Sequence, residues 1–141
     1  MTASFLDSRF DIARDGVRIH GRIGGQGAPL LLLHGHPQTH AIWHRVAPAL
    51  AERFTVVAVD LRGYGDSGRP AADAGHAVYS KPEMARGALA ALHHHGFERF
   101  AGLAHDRGAR VAHRLAADHP GAVERMLLLY IAPALAMYDN T

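Results

Sequence analysis

Cysteine is absent from this 141-residue chain. That excludes disulfides, thiolate metal sites and a Cys nucleophile, and it agrees with a reducing compartment. Lysine is almost absent: Lys81 is the single one among 15 basic residues. No Lys/Arg-rich run exists and the formal net charge is only +2, so the electrostatic footprint of a nucleic-acid binder is missing. The longest strongly apolar run, Pro29 to Leu33, is far too short for a membrane-spanning helix. Met1 to Phe10 carries Asp7 and Arg9 and has no apolar segment of the secretory-signal kind. The expected location is the cytoplasm, with neither nucleic acid nor membrane as a partner.

What is present is the balance of a globular protein, 48% hydrophobic and 20% charged. A chain of about 150 residues makes one domain and buries close to 70% of its surface on folding. Histidine is the compositional oddity, at 12 residues.

Phe10–Arg14 and Val17–Ile23 alternate apolar and polar residues around Asp15-Gly16, which predicts a β-hairpin. Leu30–Leu33 reads as a short strand buried on both faces. Thr39 is placed to cap a helix running to about Arg53, with Ile42, Trp43, Val46 and Leu50 on its apolar stripe. Phe54–Val59 is the next strand, followed by a Gly-rich loop over 60–70. A helix is expected over Pro82–His95, ended by Gly96, then a strand at Phe100–Leu103. A helix over Arg107–His119, stopped by Pro120, and a strand at Met126–Leu129 complete the order. A hairpin followed by β-α-β-α-β-α-β predicts an α/β fold, with parallel strands and helices on both faces. Ligands in such sheets sit at the carboxyl ends of the strands.

The sharpest chemical signal is Ala104-His105-Asp106-Arg107-Gly108, which ends a strand and opens a helix. Small residues at 104 and 108 permit the tight strand-to-helix turn that lifts the central side chain above the sheet, the geometry of a nucleophile elbow. Here the nucleophile is Asp106. A carboxylate is already ionised at neutral pH and can displace a leaving group from saturated carbon, forming an ester that water must cleave. The competing reading is that Asp106 merely caps the helix. His34-Gly35-His36-Pro37 follows the first buried strand, where a loop can supply a backbone N–H to an oxyanion hole. The expected donors are the N–H groups of His36 and Arg107. Asp60-Leu61-Arg62-Gly63-Tyr64-Gly65-Asp66-Ser67-Gly68 is assigned a loop-shaping role only.

His36, His40 and His44 are spaced by four, but Pro37 puts His36 in the loop, and His40 and His44 read as exposed helix residues. His93-His94-His95 lies at a helix C-terminus, where positive charge is favourable but three consecutive side chains diverge. No metal and no cofactor is expected. His105 reads as a shaping residue of the elbow.

Together these motifs resemble the α/β-hydrolase superfamily over nearly the whole chain. Asp106 flanked by Arg107 and Arg110, with His34-Gly35-His36-Pro37-Gln38-Thr39 before it, resembles the haloacetate (fluoroacetate) dehalogenases. The resemblance implies that Asp106 displaces halide from a small 2-haloacid and that Arg107 and Arg110 hold the substrate carboxylate. Epoxide hydrolases and haloalkane dehalogenases share the Asp but usually carry Trp after it, so Arg107 favours an acidic substrate. Arg107 and Arg110 share a helix face one turn from Asp106. Cations in a first turn oppose the helix dipole by about 0.3–1 kcal/mol each, a cost a bound carboxylate offsets.

The sequence departs from the family pattern in two places. An acidic residue commonly ends the strand corresponding to Met126–Leu129, and Tyr130 stands there; a phenol cannot supply the carboxylate that orients a histidine. Asp139 lies further on, unmarked as a replacement. The family continues into a helical cap and further strands that carry the catalytic His, and none of the 12 histidines here takes that place. Residues 1–141 are therefore expected to be a partial hydrolase core, the N-terminal half of the fold without cap or C-terminal strands. An uncovered sheet edge and face predict self-association or a missing C-terminal half as partner. The alternatives are an epoxide hydrolase or other Asp-nucleophile enzyme, or a non-catalytic self-associating half-fold.

Overall fold

Strand β1 (Ser8–Arg14) pairs antiparallel with β2 (Val17–Gly25), joined by a turn in which Gly16 adopts φ +77°. The structure, a computed structural model, describes residues 8–14, 16–69 and 80–129. Strands β3 (Ala28–Leu33), β4 (Phe54–Val59), β5 (Phe100–His105) and β6 (Val123–Leu129) complete one six-stranded sheet in the order β1-β2-β4-β3-β5-β6. The pairs β3–β4, β3–β5 and β5–β6 are parallel, and β2–β4 is antiparallel. The chain leaves β3 towards β4 on one side and returns through β5 on the other. That reversal opens a crevice at the carboxyl ends of β3 and β5, where ligands bind in open α/β sheets.

Leu31, Leu32 and Leu33 are fully buried, as are Val56, Val57 and Ala58 on the neighbouring strand. Burying each Leu or Val contributes about 1.5–3 kcal/mol, and alternate residues face opposite helix layers. Leu31, Leu33, Val57 and Val59 pack against α2 (Lys81–His94) and α3 (Arg107–Asp118). Leu30, Leu32, Val56 and Ala58 pack against Trp43 and Ala47 on the other face. Helices therefore cover both faces, as expected.

The single helix expected over residues 39–53 is instead two short pieces. A 3₁₀ turn spans His40–Trp43, and α1 spans Ala47–Leu50. Thr39 does cap the first piece, accepting from the Ala41 N–H at 3.2 Å. Pro48 explains the break: it has no N–H to donate and its ring would clash with the carbonyl four residues earlier, so it is tolerated only in a first turn, where α1 places it. Elsewhere boundaries move by a few residues. Ser80 caps α2 by accepting from the Glu83 N–H, so that helix begins at Lys81.

Among the described residues β6 pairs only with β5. Leu103 lies opposite Leu127, and His105 opposite Leu129, on the face served by α1. No described element covers the end of that face: Leu127 is 60% exposed and Leu129 38%.

Candidate active site

The turn from β5 into α3 is tight enough to force Asp106 to φ +55° and ψ −120°, the one non-glycine residue with positive φ among those described. Such a conformation costs on the order of 1–3 kcal/mol and persists only where its surroundings impose it. Those surroundings are the small residues of the motif. Ala104 is fully buried. A side chain at Gly108 would collide with the backbone carbonyls of Leu33 and His34 at the end of β3. Asp106 occupies the N-cap position of α3 but its side chain makes no capping hydrogen bond, which removes the helix-cap reading. Its Oδ2 instead accepts from the His36 N–H at 3.0 Å.

That bond pulls the Asp106 carboxyl below its usual range, against partial burial that would raise it. The Arg107 N–H and the charges of His105 and Arg107 act in the same direction as His36. Of the two N–H groups expected to form an oxyanion hole, that of His36 meets the carboxylate of Asp106 directly.

The loop after β3 is built to hold that N–H in place. His34 is fully buried. Its Nε2 accepts from the Leu61 N–H at 2.9 Å, so its Nδ1–H donates to the Gly35 carbonyl at 2.8 Å. Burial lowers the His34 pKa, so the ring stays neutral in this tautomer. The Gly35 N–H donates to Gln38 Oε1 at 3.1 Å, and the Gln38 N–H returns to the Gly35 carbonyl at 2.9 Å. His105 Nδ1 lies 3.3 Å from the same Gln38 oxygen, a shaping contact between the two loops. Glycine is required at 35 because a Cβ there would stand 2.5 Å from the Cβ of Asp106.

A cavity of about 450 Å³ opens over this turn, lined by His36, Lys81, Asp106, Arg107 and Arg110. Arg107 and Arg110 thus reach one space, as their spacing predicts. Two further residues escaped the sequence reading. The Tyr64 hydroxyl accepts from Arg107 Nη1 at 2.8 Å and lies 2.7 Å from His36 Nδ1, to which it can donate. Tyr64 sits in the loop after β4, and only its place between Gly63 and Gly65 marked it. Lys81 comes from the first turn of α2, with no local motif; its rarity was its only signal.

Asp60 anchors the β4 loop. It is 1% exposed and accepts from the His40 N–H at 2.8 Å, from His40 Nδ1 at 2.7 Å and from the Asp66 N–H at 3.0 Å. Burial works to raise its pKa, but these bonds prevail and hold it below the usual range. The expectation that His40 is exposed is thus corrected: the 3₁₀ turn, unlike a long helix, points it inward to Asp60. His44 is exposed, as expected. Ligand atoms of His20, His40 and Asp60 lie within 4.8 Å of one another, a grouping distinct from the His36/His40/His44 spacing. The Asp60 oxygens are already engaged by His40 and Asp66, and His20 Nδ1 pairs with Asp11 at 2.8 Å, so these side chains already hold hydrogen-bond partners. Tyr130 and Asp139 lie outside the described residues.

The sheet order, the elbow and the oxyanion-type loop together define a hydrolase core of the doubly wound kind. The chain belongs to the family described as alpha/beta hydrolase fold, which matches residues 28–138. It is 47% identical over 124 residues to a fluoroacetate dehalogenase of Burkholderia sp, covering 88% of this chain and 41% of that protein. It is 41% identical over 121 residues to a soluble epoxide hydrolase of Corynebacterium sp. (strain C12), covering 86% of this chain and 41% of that protein. A solved structure of a candidate alpha/beta hydrolase from Nostoc sp PCC 7120 superposes with TM-score 0.91 at 53% identity, over 95% of this chain and 46% of that one. The chain thus spans well under half the length of the relatives it matches.

Proposed function

We propose that this chain carries the nucleophilic half of a haloacetate dehalogenase. Asp106 is assigned as the nucleophile, the N–H groups of His36 and Arg107 as the oxyanion hole, and Arg107 and Arg110 as the grip on the substrate carboxylate. In the first step Asp106 Oδ1 attacks the carbon bearing the halogen of a small 2-haloacid. The carbon–halogen bond breaks, halide leaves with its electron pair, and an ester forms on Asp106. In the second step water attacks the Asp106 carboxyl carbon while a base takes its proton. Negative charge then develops on Oδ2, the oxygen that the His36 N–H already meets at 3.0 Å. Donors fixed in advance where charge develops are worth several kcal/mol to such a step. Collapse releases the 2-hydroxyacid and restores the carboxylate.

The observation that carries this reading is the strained, uncapped Asp106 with one oxygen already bound by the His36 N–H and two arginines lining the same cavity. We assign the base of the second step to none of His34, His36 and His40. Those of the central network are committed: His34 to Leu61 and Gly35, His36 to Tyr64, His40 to Asp60. The chain by itself is expected to react once and stall.

The test is incubation with bromoacetate followed by peptide mapping. The expected product is a carboxymethyl ester on Asp106, lost in Asp106→Asn, with no continuing bromide release. Adducts confined to histidines and methionines would overturn the assignment. An epoxide run alongside probes the alternative of an epoxide hydrolase, which needs no carboxylate grip; faster labelling of Asp106 by the epoxide would favour it.

A further inference from the structure

Lys81 is the one lysine of the chain, and the fold brings it to the cavity that holds Asp106. Its position is set from its own helix. Ser80 caps α2, and Glu83 clamps the first turn by binding Arg62 at 3.2 Å and Arg86 at 2.7 Å. Lys81 therefore projects from a fixed first turn rather than from a loose loop. A cation there opposes the helix dipole. It is also half-buried and makes no hydrogen bond or ion pair among the described residues. Burial, and the positive charges of Arg107 and Arg110, push the Lys81 pKa down. Three cations from two helices thus converge on one space, at a cost that an anion placed between them removes.

Resting on the dehalogenase reading, we propose that Lys81 is a third element of the carboxylate grip and a specificity residue, selecting substrates that bear a carboxylate over neutral electrophiles. Arg107 is tied to Tyr64 through one of its nitrogens, which fixes its orientation. Lys81 reaches the same cavity from the neighbouring helix α2, so the carboxylate is gripped by side chains of two separate elements.

Because Lys81 is the only lysine, reductive methylation with ¹³C-formaldehyde leaves one dimethyl-lysine signal, distinct from that of the amino terminus, and keeps the positive charge. The experiment titrates the methylated 141-residue chain with acetate and, separately, with acetamide. Acetate is expected to move the Lys81 signal saturably and to raise its pKa towards the ordinary lysine value, and acetamide to leave it in place. Lys81→Met is expected to raise the acetate concentration that half-shifts the Arg107 amide about tenfold, the size of one charged hydrogen bond. If acetate moves the Arg107 amide but neither the Lys81 signal nor the affinity of Lys81→Met changes, Lys81 is a bystander and the arginine grip stands. If acetate moves neither group, the proposal falls together with the carboxylate reading.

Discussion

Replacing Gly35 by Ala tests directly how closely the loop after β3 approaches Asp106. The added Cβ would lie 2.5 Å from the Asp106 Cβ, 2.9 Å from its Oδ2 and 3.0 Å from Gln38 Oε1. Carbon atoms pack at about 3.5–4.0 Å, so the first contact is too short by roughly 1 Å. The strained elbow cannot yield easily, since Gly108 already presses α3 onto the carbonyls of β3. The 34–38 loop must therefore lift, which stretches the 3.0 Å bond from the His36 N–H. Forced overpacking of this kind costs about 1–3 kcal/mol. With a urea m-value of about 2 kcal/mol per molar, a 2 kcal/mol loss lowers the unfolding midpoint by about 1 M. A displacement near 1 Å also slows chemistry on the order of 100-fold, so bromoacetate labelling of Asp106 should fall in parallel. Gly121→Ala is the control, because nothing lies within 4 Å of its added Cβ. Both variants are to be unfolded at one fixed chain concentration, since association shifts apparent stability. A Gly35→Ala midpoint equal to that of Gly121→Ala, with an unchanged labelling rate, would refute the reasoning.

Three other outcomes are expected. His40→Ala removes the side-chain partner of an Asp60 that is 1% exposed, and should cost about 3–5 kcal/mol; a urea midpoint within 0.5 M of the parent, on the order of 1 kcal/mol, would contradict this. Because folding lowers the Asp106 pKa, its contribution to stability is present above the unfolded carboxyl value of about 3.9 and is lost as pH falls through the folded value. A carboxyl-carbon NMR titration should accordingly place Asp106 below ordinary aspartates, and a midpoint at or above them would remove the hydrogen-bond argument. Leu127 is 60% exposed on a face that no described element covers, so Leu127→Lys should lower any light-scattering mass above that of one chain; an unchanged mass distribution would overturn association through this face.

Much of the fold was legible because local chemistry and tertiary packing agree. The Leu30–Leu33 run, the Val-rich Phe54–Val59 segment and the turn at Gly16 require particular elements whatever surrounds them. Pro48 stands inside the apolar stripe of residues 42–50, and the backbone cost of a mid-helix proline decided against one continuous helix. The candidate nucleophile was readable for a steric reason: a strand-to-helix turn admits only small residues at 104 and 108, so the elbow leaves a mark in the sequence itself.

What the sequence determined was the strands and the two longer helices, the place of Asp106 at the strand-to-helix turn and the shared face of Arg107 and Arg110, since each depends on neighbours a few positions away. Only the tertiary structure decided that Tyr64 bridges His36 and Arg107, that His40 turns inward to Asp60, and that Lys81 joins the arginines from another helix. These contacts span 20 to 43 positions along the chain, as the Asp60–His40 and Tyr64–Arg107 bonds show. They arise because the strand order β4-β3-β5 sets the carboxyl ends of three distant strands side by side, and no local pattern encodes which loop tips then touch.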